Sequence, residues 1–361
     1  MAIFLFVLGL VLMIYGAELL VRGASRLALM AGVSPLVVGL TVVAFGTSAP
    51  EFAVSFKAAY IDQASLCLGN VIGSNIFNVL FILGISSIVV PLVVAPQLIR
   101  LDLPLVIGAS VLTWLLALDK RFDRVDGAIL FSGLIAYIAG SIYTSRRQRT
   151  RQVVDELDID DHKHRRGPKW LQWATNLGLI VIGLAMLVLG ANWLVGTAVA
   201  FARWLEVSEL VIGLTIVSIG TSLPEVVTSI VASIKGERDI AVGNVIGSNL
   251  FNLLGVLGLA SIVAPSGLEV SPQALRFDIP VMIAVAVIAL PIFLTGGVIK
   301  RGEGIVLLGY YVVYTIYLIL DASNHSSLEL FANVILYGVI PLTAIVFVAT
   351  TFLAKRKPAT S

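Results

Sequence analysis

Long apolar runs separated by short polar turns make up most of the chain. A helix needs about 20 apolar residues to cross the hydrocarbon core of a bilayer. Eleven runs are of roughly that length or longer, two sets of five followed by one more: 2–30, 34–60, 65–91, 98–118, 125–145, 171–203, 208–234, 240–265, 274–295, 303–320 and 328–354. The pattern predicts an all-α polytopic membrane protein with a 5+5 arrangement and an eleventh, C-terminal helix.

Composition supports this class of protein and excludes others. Of the 361 residues, 58% are hydrophobic and only 13% are charged, whereas soluble domains carry about 25% charged residues. The net charge of +2 gives no basic domain that would bind nucleic acid. Cys67 is the only cysteine, so an intrachain disulfide is excluded, and its apolar surroundings favour a small buried side chain.

Two motifs occur twice, each time 174 residues apart. Gly46–Glu51 returns as Gly220–Glu225, and Gly69–Asn78 returns as Gly243–Asn252 with a single Ile-to-Leu difference in the second motif. Five spans per copy is an odd number, so the second copy enters the membrane upside down, which predicts an inverted-topology repeat. The expected units are a first repeat (1–145, motif region 39–84), a polar linker (146–170), a second repeat (171–320, motif region 213–258) and a C-terminal helix with a basic tail (321–361).

Basic residues predict the orientation of these spans. If the N-terminus lies outside, 18 of the 24 Lys and Arg residues fall on the cytoplasmic side. Cytoplasmic loops of membrane proteins carry such an excess. We therefore expect the linker 146–170 and the C-terminus to be cytoplasmic.

Each copy of the first motif places a glutamate, Glu51 or Glu225, inside an apolar stretch. A charged side chain at membrane depth costs at least about 2.5–3.5 kcal/mol unless a cation or a partner compensates it. Pro50 and Pro224 lack an N–H and should kink or break their helices. The break would bring carboxylates, freed carbonyls and hydroxyls together, and the hydroxyls are those of Thr47, Ser48, Thr221 and Ser222.

The second motif adds more oxygen atoms. Ser74 and Asn78 are four residues apart and so share a helix face, and the arrangement repeats in Ser248 and Asn252. The small-xxx-small glycine pairs 69/73 and 243/247 predict a close approach to the broken helix. Oxygen ligands suit hard cations such as Ca²⁺, Mg²⁺ and Na⁺. Two carboxylates are neutralised by one divalent ion, by two monovalent ions or by two protons, which is what an antiporter requires.

Three other functions are alternatives to Na⁺-coupled antiport of a hard divalent cation. H⁺-coupled cation exchange on the same fold is the main alternative, because buried glutamates can carry protons. A channel is disfavoured by a site that is broken at the midplane of an inverted repeat. An intramembrane enzyme is disfavoured because His162, His164 and His325 all lie outside the predicted spans.

These motifs resemble the α-repeats of the calcium/cation antiporter superfamily, which includes the sodium/calcium exchangers. The resemblance implies alternating access, in which the first and sixth spans slide across the rest, and no cofactor beyond the transported Ca²⁺ and Na⁺. It implies central Ca²⁺ ligation by Glu51 and Glu225, and backbone carbonyl ligation by Thr47 and Thr221. Further sodium ligands would be the side chains of Ser48, Ser74, Asn78, Ser222, Ser248 and Asn252, with the carbonyls of Ala44 and Ser218.

One residue departs from part of that family. Several members carry an acidic residue where this chain has Asn252, which weakens the expectation of K⁺ dependence. The short linker leaves no room for a large regulatory domain and points to a prokaryotic inner-membrane protein. One chain carries both motifs, so a monomer would suffice, and the sequence leaves the oligomeric state open.

Charges outside the motifs invite simpler interpretations. Glu18 lies in the first span, where the second copy has Asn192, and pairing with a neighbour is favoured over a place in the ion pathway. Asp102 and Asp278 each follow an arginine by two positions near the start of a span. Favourable placement in the helix dipole and pairing at the interface would explain both.

Overall fold

The chain is almost wholly helical in the computed structural model, which describes residues 2–155, 168–205, 218–294, 296–323, 325–339 and 341. The helices of these residues are α1 Ala2–Ala31, α2 Pro35–Thr47, α3 Ala49–Tyr60, α4 Ala64–Val89, α5 Leu98–Asp119, α6 Arg124–Asp155, α7 Lys169–Trp204, α8 Ser218–Thr221, α9 Leu223–Ile234, α10 Arg238–Val263, α11 Ala274–Leu294, α12 Arg301–Ala322 and α13 Leu328–Val334.

The helices confirm a polytopic all-α membrane protein. Eight of the described helices are long and apolar enough to cross a bilayer, and the bent pair of α2 and α3 makes a ninth. The predicted seventh span falls partly on 206–217, and about half of the predicted eleventh falls beyond 341. Both of these segments lie outside the described residues.

The helix break expected near Pro50 is present, and it is centred on Ser48. The axes of α2 and α3 meet at 50°, and Ser48 leaves the helical region with φ −80° and ψ 7°. Pro50 lies in the first turn of α3, where an N–H has no intrahelical partner to lose. Ser222, with φ −90° and ψ 8°, separates α8 from α9 in the same way.

The two helices that carry the second motif lie at the centre of the protein. In their most apolar stretches, 78% of α4 and 89% of α10 is buried, compared with 33% of α1 and 6% of α12. The apolar side chains exposed on α1, α6, α7 and α12 are suited to contact lipid. The polar residues of α4 and α10 are therefore shielded from the membrane by the surrounding helices.

Two short antiparallel strand pairs join loops of one half to loops of the other. β1 (Leu92–Val93) pairs with β4 (Val298–Ile299), and β2 (Arg121–Phe122) pairs with β3 (Leu268–Glu269). The repeat shift exchanges the two pairs, as expected for an inverted duplication. Wide π-helical turns also recur at matching positions, in α4 and α10 and again at the starts of α5 and α11.

A glycine seam, formed by Gly9 and Gly16 of α1 and by Gly183 and Gly190 of α7, joins the first helices of the two halves. A Cβ placed at Gly16 would lie 2.8 Å from the carbonyl oxygen of Gly183, and one at Gly183 would lie 2.6 Å from that of Gly16. Gly9 and Gly190 face each other at the same distances. The two helices thus run antiparallel with their backbones in direct contact, which only small residues permit.

Close approach of the second-motif glycines is confirmed for the second copy. A Cβ at Gly243 would lie 3.0 Å from the carbonyl oxygen of Leu36, and one at Gly247 would lie 2.6 Å from that of Leu40, so α10 presses against α2. No described atom lies within 4 Å of a Cβ at Gly69 or at its partner four residues on. The segment that corresponds to α2 in the second half, 206–217, lies outside the described residues.

The fifth predicted span extends further into the predicted linker than the sequence indicated. α6 continues to Asp155, whereas the apolar run ends near 145. Polar residues at the end of a helix can extend beyond the bilayer without losing their helical hydrogen bonds. The remainder of the linker, 156–167, lies outside the described residues, and the domain boundaries stay a prediction.

Candidate cation site at the repeat interface

Each buried glutamate accepts a hydrogen bond from a serine of the other half. The Ser48 hydroxyl donates to Oε1 of Glu225 over 3.0 Å, and the Ser222 hydroxyl donates to Oε1 of Glu51 over 2.6 Å. All four side chains are buried. The two helix breaks therefore face each other across the repeat interface, with one carboxylate supplied by each half.

A ring of amide and hydroxyl contacts holds the first break in place. The Asn70 amide donates to the backbone carbonyl of Glu51 over 3.1 Å and to Oγ of Ser55 over 2.8 Å. The Oγ1 atom of Thr221 lies 3.5 Å from Oδ1 of Asn70. Asn70 thus connects α3, the helix that follows the first break, to the threonine of the second break.

The second break repeats these contacts with equivalent residues. The Asn244 amide donates to the carbonyl of Glu225 over 3.4 Å and to Oγ of Ser229 over 3.1 Å. The Thr47 hydroxyl donates to Oδ1 of Asn244 over 3.0 Å. Since both threonine hydroxyls face these asparagines, the threonine side chains brace the breaks.

The outer part of the cluster departs from the two-fold arrangement. Ser222 Oγ lies 3.3 Å from Ser74 Oγ, and the Asn78 amide donates to Oδ1 of Asn249 over 2.9 Å. The equivalent atoms of the second motif have no such partners among the described residues: Ser248 Oγ and both polar side-chain atoms of Asn252 make no hydrogen bond.

Several buried oxygen atoms around the glutamates accept no hydrogen bond from the part of the chain that the structure describes. These atoms are Oε2 of Glu51, Oε2 of Glu225, Oδ1 of Asn78, Oδ1 of Asn252 and Oγ of Ser248. Buried polar atoms are nearly always hydrogen-bonded, and all of these atoms are suitable ligands for hard cations. No ion pair joins either glutamate to a Lys or Arg within the described ranges.

The helix ends contribute to the electrostatics of the cluster. Glu51 lies in the first turn of α3, and Glu225 lies in the first turn of α9. A helix N-terminus carries a partial positive charge of about half an elementary charge, which favours a carboxylate there. The half-helices thus orient both carboxylates toward the interface while leaving one oxygen of each unbonded.

The structure shows the surroundings of one predicted carbonyl ligand, that of Ala44, more fully than those of the other, that of Ser218. The carbonyl of Ala44 accepts the Ser48 N–H over 3.0 Å and lies 3.4 Å from the Thr47 hydroxyl, so it faces the break. Ser218 begins α8, and its side chain lies outside the described residues. The role of every predicted ligand as an ion ligand stays a prediction.

Sequence reasoning missed the residues that hold the breaks together. Asn70 and Asn244 stand inside the duplicated block, 19 residues after each glutamate, and that exact duplication was a usable signal. Ser55 and Ser229 lie four residues beyond the glutamates, on the same face of their helices. Asn249 was also inside the block, but nothing in the sequence shows that it would contact Asn78 across the interface.

Comparison with protein families gives a match over most of the chain. The model of the family described as sodium/calcium exchanger protein matches residues 1–143 and 175–320. An inner membrane protein of Escherichia coli K12, YrbG, is 37% identical over 271 residues, covering 74% of this chain and 81% of that relative.

Two further relatives have names that describe transport. The putative antiporter CaxA of Alkalimonas amylolytica is 36% identical over 271 residues, covering 74% of this chain and 83% of CaxA. The sodium/calcium exchanger MaX1 of Methanosarcina acetivorans is 32% identical over 300 residues, covering 75% of this chain and 85% of MaX1.

Solved structures of the sodium–calcium exchanger NCX_Mj have a similar fold. The structure soaked with 10 mM Na⁺ and zero Ca²⁺ superposes with a TM-score of 0.73 at 29% identity, covering 89% of this chain and 98% of that one. The structure soaked with zero Na⁺ and Ca²⁺ gives a TM-score of 0.74 and covers 88% of this chain.

Proposed function

Because the chain belongs to the sodium/calcium exchanger family, a family of transporters rather than enzymes, we propose that it exchanges Na⁺ for Ca²⁺ across the membrane by alternating access. The observation that carries this proposal is the crosswise pair of buried glutamates, each with its Oε2 atom unbonded among the described residues. A cation bound between the two helix breaks would supply the missing partner of both atoms.

Charge balance explains why the same cluster would take different ions in turn. Two ionised glutamates carry a charge of −2, which one Ca²⁺ or two Na⁺ neutralise. Ca²⁺ takes 6–8 oxygen ligands, so Glu51 and Glu225 would be its central ligands, together with the carbonyls of Thr47 and Thr221. The occupied cluster is compensated with either ion and the empty cluster is not, which favours exchange over leakage.

The surrounding hydroxyl and amide oxygens favour Na⁺ over H⁺ as the driving ion. A proton needs a single acceptor atom, whereas Na⁺ needs a coordination shell. The proposed sodium ligands are the side chains of Ser48, Ser74, Asn78, Ser222, Ser248 and Asn252, with the carbonyls of Ala44 and Ser218. The names of MaX1 and NCX_Mj, both sodium/calcium exchangers, support the same choice.

The proposed movement involves α1 and α7, which pack on each other through the glycine seam. Two antiparallel helices in backbone contact can move as one unit, because the contact between them need not change. Sliding of this pair across the other helices would open the repeat interface to one side of the membrane and then to the other.

The proposed location is a prokaryotic inner membrane, with the N-terminus outside and the linker and C-terminus cytoplasmic. The asymmetry of Lys and Arg residues supports this orientation. The name of the relative YrbG, an inner membrane protein, supports the assignment to an inner membrane.

The test of the driving ion is ⁴⁵Ca²⁺ uptake into proteoliposomes at a clamped membrane potential. Uptake driven by an outward Na⁺ gradient and absent with an outward H⁺ gradient is the expected result. Uptake driven only by H⁺ would overturn the sodium assignment and establish the proton-coupled alternative, with the two glutamates as proton carriers.

The test of the site uses Glu51→Gln and Glu225→Gln, which keep the shape of each side chain and remove its charge. Both should abolish Na⁺-driven Ca²⁺ uptake while the protein still inserts. Glu269→Gln is the matched control, because Glu269 is an exposed residue of β3 remote from the breaks. Full uptake by either glutamate variant would overturn the proposed site.

A further inference from the structure

A third carboxylate is buried among the spans, outside the repeat interface. Asp102 closes the π-helical turn at the start of α5, and its side chain has no exposed surface. The sequence predicted favourable placement in the helix dipole and pairing at the interface. Arg100, two positions earlier, is exposed, and no ion pair joins it to Asp102 within the described residues.

The contacts of Asp102 leave one carboxylate oxygen without a partner. The Tyr137 hydroxyl of α6 donates to Oδ1 over 3.1 Å. Oδ2 has no hydrogen-bond partner in the part of the chain that the structure describes, and neither do Oγ of Ser141 and Nε2 of Gln97. Ser141 is 3% exposed and lies one turn after Tyr137 on the same face of α6.

Within the described ranges, no positive side chain forms an ion pair with this carboxylate. Tyr137 is the one titratable group of the described residues that acts on Asp102, and Gln97 is its other polar neighbour. A buried carboxylate with no counter-charge is strongly disfavoured. A bound cation would compensate Asp102, and Oδ2 of Asp102 and Oγ of Ser141 are buried oxygen atoms without a hydrogen-bond partner among the described residues.

We propose that Asp102, Tyr137, Ser141 and Gln97 form a second cation site that holds one positive charge, either H⁺ or Na⁺, between α5 and α6. The bound ion supplies the partner that Oδ2 of Asp102 lacks among the described residues. Gln97 lies just before the first turn of α5.

The other half of the protein contains a related pair in a different setting. Asp278 of α11 lies within electrostatic range of Tyr314 of α12. Its Oδ1 atom also has no hydrogen-bond partner among the described residues. Asp278 is only partly buried. Water can therefore reach Asp278, and of these two aspartates Asp102 has the greater need for a bound cation.

Infrared difference spectroscopy of the purified protein tests this site without relying on transport. A bound proton gives a carboxylic acid C=O band that moves to lower frequency in D₂O and is lost in Asp102→Asn. A bound Na⁺ instead gives a carboxylate band that changes when choline is replaced by Na⁺, and the part of this change that comes from Asp102 is lost in Asp102→Asn while the part from Glu51 and Glu225 remains. The control Asp119→Asn, at the exposed end of the same helix, should keep the wild-type spectrum.

If wild type and Asp102→Asn give the same spectra under both conditions, the site does not exist. A second variant covers the case in which Asp102→Asn fails to fold. Tyr137→Phe keeps the carboxyl group and removes its hydrogen bond, so the band assigned to Asp102 should shift in frequency. An unshifted band would also overturn the proposal, and Ca²⁺ uptake by Asp102→Asn would show the site to be separate from the exchange site.

Discussion

The glycine seam predicts that a single methyl group will have opposite effects at two positions of α7. In Gly183→Ala, the new Cβ would lie 2.6 Å from the carbonyl oxygen of Gly16 and 2.7 Å from the backbone nitrogen of Leu20. Both atoms belong to the backbone of α1, so no side chain can rotate away, and the helices must separate by several tenths of an ångström. In Gly178→Ala, no described atom lies within 4 Å of the new Cβ.

The magnitudes follow from two competing effects. Replacing a helical glycine by alanine stabilises a helix by up to about 1 kcal/mol, and this gain applies at both positions. Overpacking a close contact costs about 1–3 kcal/mol, and this cost applies only at Gly183. We therefore expect Gly178→Ala to raise the unfolding temperature slightly and Gly183→Ala to lower it, with a net loss of up to about 2 kcal/mol once the full helical gain is subtracted.

The assay is thermal unfolding of the purified protein in one detergent and in one lipid mixture, at a fixed scan rate because membrane proteins often unfold irreversibly. The double variant Gly16→Ala/Gly183→Ala should lose less than the sum of the two single losses, since one separation of the helices relieves both clashes. Equal shifts for Gly178→Ala and Gly183→Ala would refute the backbone contact between α1 and α7.

Three further predictions concern the cation site and its surroundings. Ser48→Ala removes the hydroxyl that donates to the Glu225 carboxylate, a hydrogen bond worth about 1.5–3 kcal/mol. We expect it to weaken the apparent Ca²⁺ affinity in transport assays at least tenfold. The control Ser110→Ala removes only a hydrogen bond to its own helix and should leave that affinity unchanged. Saturating Ca²⁺ at about 100 times its Kd should stabilise the wild type by about 2.7 kcal/mol; chelation should reverse this, and Glu225→Gln should show neither effect in thermal unfolding. The Lys235 Nζ atom lies 2.7 Å from Oε1 of Glu18. A double-mutant cycle of Glu18→Gln and Lys235→Gln in thermal unfolding should therefore give a coupling energy of about 0.2–1 kcal/mol. Additive losses of stability would show that the two side chains do not interact.

The fold could be predicted because membrane insertion imposes simple rules on a sequence. Backbone groups in lipid must be satisfied within a helix, so apolar runs give most of the spans directly. The odd number of spans per copy then gives the inverted repeat. The position of the helix break was harder to predict, because Pro50 locates it only to within one helical turn. In the structure the backbone leaves the helical conformation at Ser48.

The residues of the candidate site could be predicted where they lie in the duplicated motifs. The contacts between them could not be predicted from the sequence. The crosswise contact of Ser48 with Glu225 joins residues 177 positions apart, and no local pattern specifies such a pair. The interpretation of Glu18 as a residue paired with a neighbour is consistent with its contact to Lys235. The burial of Asp102 could not be predicted, because it depends on how Tyr137 of another helix packs against it.

The crosswise serine–glutamate bonds also limit how the two copies can evolve after their duplication. A change at Ser48 alters the environment of a glutamate in the other copy, so neither copy can diverge at these positions independently. Each half is in effect the binding partner of the other, as in a dimer whose subunits insert in opposite directions and have become fused. The near identity of the two motifs, while the rest of the halves differs, is what such mutual dependence would preserve.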